Sequence, residues 1–187
     1  MTQPEIYDTL FRKTFLEALK MNIKLELVGK DKKEILRNLI EKYETDFSQY
    51  DEQDVNDLGL FGYDYLDNYW TEANRFPYFI KVNEKLAGFV MINDYPIAGY
   101  KTDYTIAEFF IMPKYRRSGV GKCALDFIFQ KFKGKWCLMY HPKNVAAQRF
   151  WTKMVNHYTD GKYTLITDNS EVCYHDGTLG HVFNFEI

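Results

Sequence analysis

The sequence predicts an α/β domain of the α+β kind, and three observations carry that expectation. Apolar and charged residues alternate in Ile23-Lys-Leu-Glu-Leu27, the period-two mark of a half-buried strand. Apolar residues recur at helical spacing in well-separated segments around Leu36, Ala124 and Trp151. Strand and helix then follow one another closely from Ala107 to Met154, each handover marked by glycine, proline or a capping residue. A chain of 187 residues suits a single domain. It is expected to span 1–187, with an N-terminal part over 1–76, a binding core over 77–155 and C-terminal strands over 156–187.

Taken in order, Ile6, Leu10, Phe11, Phe15 and Leu19 fit a short amphipathic helix, and the strand Ile23 to Leu27 follows. Asp31 and Glu34 stand at reciprocal capping positions before a helix whose face is Ile35, Leu36, Leu39, Ile40 and Tyr43. From Asp46 to Phe76 the periodicity dissolves into a polar and aromatic stretch, either a long loop or broken helices. Tyr78 to Val82, a tight turn at Asn83 and Glu84, and Leu86 to Ile92 read as a hairpin. A further strand runs from Tyr104 to Met112 and stops at Pro113. The next helix opens near Gly119 and closes at Gly134; Trp136 to Tyr140 reads as a buried strand; Asn144 caps a helix with Ala147, Phe150, Trp151 and Met154 on one face. Tyr163 to Thr167 and Gly180 to Ile187 complete the strands.

Bulk composition narrows the function classes. Hydrophobic residues at 46% and charged residues at 27% are ordinary, but 18% aromatic residues is high and points to a large core, a ring-lined cleft, or both. A net charge of -2 gives no basic excess for nucleic acid, so any phosphate is expected to be held locally. Cys123, Cys137 and Cys173 lack metal-ligand spacing, so reduced thiols and no metal are expected. With Glu5, Asp8 and Glu17 in the first twenty residues, neither a signal peptide nor a membrane span is expected, and the location is expected to be cytoplasmic.

The most informative segment is Ala107-Glu-Phe-Phe-Ile-Met-Pro-Lys-Tyr-Arg-Arg-Ser-Gly-Val-Gly121: a buried strand, a turn with two arginines, and a helix start with two glycines. Unpaired amides and the positive end of the macrodipole make such a helix start an anion site. Glycine at 119 and 121 is expected to let phosphate oxygens approach Ser118, Val120 and their neighbours, with Arg116, Arg117 and Lys122 adding local positive charge. Alone, R-x-x-G-x-G is a weak signal. It gains weight from Asn144-Val-Ala-Ala-Gln-Arg-Phe-Trp151, which follows the next strand directly.

On these residues the chain resembles the GNAT superfamily of N-acetyltransferases, specifically from about Tyr78 to Val155. Arg116, Gly119 and Gly121 match its pyrophosphate motif, and Asn144, Ala147 and Phe150 match the pattern on its following helix. The resemblance implies a central mixed, mostly antiparallel twisted sheet flanked by helices, with splayed fourth and fifth strands. It also implies acetyl-CoA as co-substrate, its pantetheine arm paired with the backbone of Phe109, Phe110 and Ile111 and met at the far end by Asn144.

Transfer of an acetyl group to an amine needs the amine neutral, an oxyanion donor and an exit for the thiolate. Amines with a pKa of ~10.4 are mostly protonated at neutral pH, so a base is needed. Glu108, the one acid in an apolar strand segment, is the candidate, set against an edge glutamate facing water. The amide of Ile111 is the expected oxyanion donor. Trp151 stands where many family members place a tyrosine acid, which leaves Tyr140, His141 and Tyr158 as substitutes. The acids and rings between Asp46 and Phe76 are expected to line a pocket for a small-molecule or peptide amine, in a monomer or homodimer, with no nucleic-acid or membrane partner. A non-catalytic acyl-CoA sensor is the competing reading; a nucleotide-binding protein is weaker, since neither a P-loop nor G-x-G-x-x-G is present.

Overall fold

Ten regular elements follow the order in which period-two and helical segments alternate, and the computed structural model describes residues 21–187 of the chain. The helix expected between Ile6 and Leu19 lies outside the described residues. The strands are β1 (Ile23–Leu27), β2 (Phe76–Val82), β3 (Lys85–Asn93), β4 (Tyr104–Ile111), β5 (Lys135–Tyr140), β6 (Tyr163–Ile166) and β7 (His181–Glu186). The helices are α1 (Lys33–Asp51), α2 (Val120–Lys131) and α3 (Val145–Thr159). All strands join one sheet in the order β1-β2-β3-β4-β5-β7-β6. Each neighbouring pair is antiparallel except β4 with β5, so the sheet is mixed and mostly antiparallel.

Alternation along the strands divides the apolar side chains between two layers. Phe79, Phe89, Met91 and Phe110 pack on one face against Leu36, Leu39 and Ile40 of α1. Their neighbours Tyr78, Val90 and Ile92 pack on the other face against Leu125 and Phe129 of α2 and Trp151 and Met154 of α3. The β2–β3 hairpin closes through Asn83 and Glu84, both with positive φ (49° and 65°), the signature of a two-residue turn that matches strand twist.

Two local expectations are corrected. Asp31 does not cap α1: Lys30–Lys32 form a 3-10 turn, Lys32 occupies the cap position, and no side chain bonds the first-turn amides. Lys32 is instead drawn back to Glu26 at 2.6 Å. Helix α1 also runs through Asp46 to Asp51, past the expected break, because Phe47 continues the buried face one turn beyond Tyr43, with ring centroids 5.7 Å apart.

The feature that positions the site is the parting of β4 from β5. They pair only at Tyr104 with Trp136, Thr105 with Cys137 and Ile106 with Leu138. At that point β4 carries a bulge: its register on β3 passes from Ile106 opposite Ile92 to Glu108 opposite Met91, leaving Ala107 without a partner. Past the bulge β4 stays with β3, while β5 continues on β7 to Tyr140 opposite His181.

Candidate active site

A cavity of about 250 Å³ lies over the parting of the two strands. Ile106 to Phe109 of β4 and Leu138 to His141 at the end of β5 form its floor. Ala147 and Trp151 of α3 make an apolar wall with the cap residue Asn144 at its edge, and Tyr43, Glu44, Phe47 and Asp51 of α1 line the cavity too, with Tyr174 and Ile97. One half is therefore apolar and the other acidic. No lysine or arginine lines it among the described residues.

Glu108, the candidate base, lies in the cavity floor. Its side chain points to the α1 side of the sheet with Phe110, and the Tyr63 hydroxyl donates to its Oε1 at 3.2 Å. Burial pushes this carboxyl up to about 7, and hydrogen bonds from Tyr43 and Tyr63 pull back against that rise. Glu44 is raised further, to about 8, first by burial and then by the like charges of Glu108, Asp51 and Glu41. Glu108 is half-buried, and its carboxyl is turned inward to Tyr63.

Backbone geometry on β4 follows from one contact beyond the strand. The Met112 amide donates to Ala87 O of the β3 side at 2.8 Å, so by strand alternation the amides of Phe109 and Ile111 face away from β3, toward the gap. Of the three residues expected to meet the cofactor, only Phe109 lines the cavity. Phe110 packs into the α1 core, and the Ile111 carbonyl accepts from Arg116 Nε at 2.8 Å.

Helix α2 opens with donors to spare. Gly119 is its cap residue at φ 85°, no side chain caps the helix, and the amides of Val120, Gly121 and Lys122 are the first-turn donors that an α-helix leaves without an internal acceptor. Arg117, also left-handed at φ 62°, makes the preceding turn concave. Gly121 also meets a packing need: a Cβ there would meet the Phe150 ring at 3.2 Å, so its bareness lets α2 pack against α3. Phe150 in turn stacks on Phe109 with centroids 5.7 Å apart. The flanking charges are partly engaged, since Arg116 Nη2 donates to Asp46 Oδ2 at 2.6 Å and Lys122 holds Asp126 at 2.9 Å. Ser118 Oγ donates to Tyr115 O, and Arg117 is exposed.

Asn144 caps α3 by accepting from the Ala147 amide at 2.9 Å, and it stands at the cavity as well. Tyr140 lines the cavity with its hydroxyl 3.1 Å from His181 Nδ1, and burial pushes that phenol up. His141 is fully buried; its Nδ1 accepts from the Lys143 amide at 3.1 Å, which leaves Nε2 to donate toward Asp176 at 3.4 Å. Tyr158 is elsewhere: its hydroxyl donates to Asp126 Oδ1 at 2.6 Å where α3 meets α2, outside the cavity lining.

Sequence reasoning misses Glu44, Tyr43 and Tyr174. The acidic wall is expected from the Asp46 to Phe76 stretch, yet of its residues only Phe47 and Asp51 line the cavity, while Tyr63 braces Glu108 from behind. Asp67 is bound to Lys33 and Glu72 to Arg75. A usable signal is present: Glu44, Phe47 and Asp51 fall at i, i+3 and i+7, continuing the face that carries Ile40.

The same arrangement of elements recurs in solved structures. An acetyltransferase from Thermus thermophilus superposes with a TM-score of 0.63 at 13% identity, over 88% of this chain and 97% of that one. A GNAT-family acetyltransferase from Staphylococcus aureus gives 0.57 at 14% identity, over 88% and 98%. Arabidopsis thaliana NAA60 in complex with acetyl-CoA gives 0.58 at 13% identity, over 89% and 99%. At these identities the likeness is one of fold. No curated protein matches the chain by sequence. The family model described as the acetyltransferase (GNAT) family matches residues 35–155, which span most of α1, β2 to β5 with α2 between them, and most of α3. The chain therefore belongs to the GNAT family of acetyltransferases.

Proposed function

We propose that the chain transfers the acetyl group of acetyl-CoA to a primary amine by direct attack on the thioester, at the parting of β4 and β5. The observation that carries this reading is the meeting, in one cavity, of a half-buried carboxyl raised to about 7, inward-facing β4 amides and an apolar wall, with an uncapped helix start at the other end of the same strand. Bound acetyl-CoA supplies the reactive carbonyl and a good leaving thiolate. The amides of Val120, Gly121 and Lys122, in the concave turn after Arg117, suit its diphosphate. Ala147 and Trp151 suit the arm that follows.

Glu108 takes a proton from the incoming ammonium, and a carboxyl near 7 is matched to that task at neutral pH. The freed amine forms the C–N bond as the C–S bond breaks. The Phe109 amide, which faces the gap from within the cavity wall, takes the oxyanion role expected of Ile111. Tyr140, backed by His181, gives a proton to the departing sulfur, and the second proton lost by nitrogen restores the pair. Each turnover thus consumes one ammonium and releases an amide, a thiol and one proton to solvent. Tyr158, bound to Asp126, takes no part.

Free-thiol release from acetyl-CoA over a panel of amines tests this. Turnover with cationic amines is expected, and Glu108→Gln is expected to lower kcat/KM by about 10²- to 10⁴-fold. Full activity in that variant, or CoA binding without turnover on any amine, counts against it.

A further inference from the structure

Helix α1 turns Glu44, Phe47 and Asp51 toward the cavity. At 1.5 Å rise per residue, the first and last stand about 10 Å apart along the axis. Between them the Phe47 ring lies 5.6 Å from the Tyr174 ring, which itself sits 4.5 Å from that of His141. The acidic half of the cavity is thus two carboxyl ends joined by an aromatic strip, with Glu108 at the Glu44 end.

Asp51 is the second, independent pointer. It is only 6% exposed, and the one donor to its carboxylate among the described residues is the Gln53 amide at 3.3 Å. Burying a carboxylate without a cation is costly. Lys143, which reaches the adjoining Tyr50 carbonyl and Glu52, is committed to Asp176 at 2.7 Å. His141 brings no charge, with Nδ1 accepting and Nε2 directed at Asp176. Nor do the carboxylates converge on a metal: among the described residues no three His, Cys, Asp or Glu side chains form such a group.

We propose that the acceptor is a small linear diamine: its reacting nitrogen sits at Glu108 and Glu44, its distal ammonium at Asp51, and its apolar spacer lies along Phe47 and Tyr174. This rests on the transfer reading above and names its substrate class. Rings flanking a chain between two ammonium groups stabilise the bound cation from the side, and like-charge crowding around Glu44 is relieved when a cation enters. The distal site also sets the outcome. Once acetylated, an end has no charge for Asp51 to hold, so transfer stops after one acetyl group.

Thiol release is measured with unbranched α,ω-diamines of increasing length, each beside the monoamine of equal chain, and products are weighed by mass spectrometry. The expected result is an optimum at one length, a KM about tenfold below that of the matched monoamine, worth ~1.4 kcal/mol, and a single acetyl group per product. Asp51→Asn, checked for folding by thermal melting, is expected to bring the KM ratio of diamine to monoamine toward one. The wild-type length series needs no variant and stands if Asp51→Asn fails to fold. Equal KM values for diamines and monoamines at every length overturn the diamine assignment while leaving the transfer reading in place. No turnover with any amine overturns both.

Discussion

Glu108 and Glu44 are two carboxyls that the fold holds above their ordinary value of 4.5, at about 7 and about 8. A base must be deprotonated to act, so kcat/KM is expected to rise with pH and level off above about 7. Glu108→Gln is expected to lose that limb, which a pH–rate profile would reveal. The same shifts bear on stability. A folded-state pKa above the unfolded one means the folded chain keeps protons that the unfolded chain has released, so stability falls as pH climbs from about 4.5 to about 8. Glu44→Gln removes part of this loss. Thermal melts are expected to show the variant above wild type beyond about pH 8 and level with it below about pH 4.5. A variant that melts lower across the whole range would show that Glu44 is held by a partner rather than crowded by like charges.

At the scale of elements, the start of α2 combines a left-handed Gly119 with free amides, and the two depend on each other. A left-handed conformation costs an L-residue about 1–2 kcal/mol, so Gly119→Ala is expected to lower stability by that order and to move the amides it precedes. Calorimetric titration should find weaker CoA binding, while kcat at saturating acetyl-CoA stays near wild type. Unchanged affinity would place the diphosphate elsewhere. This element was legible in the sequence because its determinants are local: glycines, a preceding strand and a helical face from Val120 to Ile128. The Asn144 cap was legible for the same reason. Less so was the extent of α1. The polar letters from Asp46 to Asp51 read as a break, yet Phe47 docks on Tyr43 and Tyr174, and tertiary contact overrides composition. The Asp31 cap failed likewise, since Lys32 is drawn to Glu26 on a neighbouring strand.

Across the whole molecule, the cavity is a product of sheet topology. Three residue pairs join β4 to β5, a bulge at Ala107 follows, and the freed edges turn toward α1 and α3. Glu44 and Glu108 stand 64 positions apart in the chain, which is why the acidic wall could not be read from either segment alone. Helix α1 joins fold to function, since the side that buries Leu36 and Ile40 in the sheet also sets Glu44 and Asp51 at the cavity. Leu36 is fully buried, so Leu36→Ala is expected to cost about 2–5 kcal/mol. In the folded fraction it should raise KM for the amine more than KM for acetyl-CoA, whose proposed contacts lie on β4, α2 and α3. Equal effects on both would argue against α1 as the acceptor wall. The most direct test is a crystal structure with CoA bound. Its diphosphate is expected on the amides of Val120, Gly121 and Lys122 and its sulfur between Phe109 and Tyr140, facing Glu108. A diphosphate away from the start of α2, or a sulfur on the far side of the sheet from Glu108, would contradict this placement.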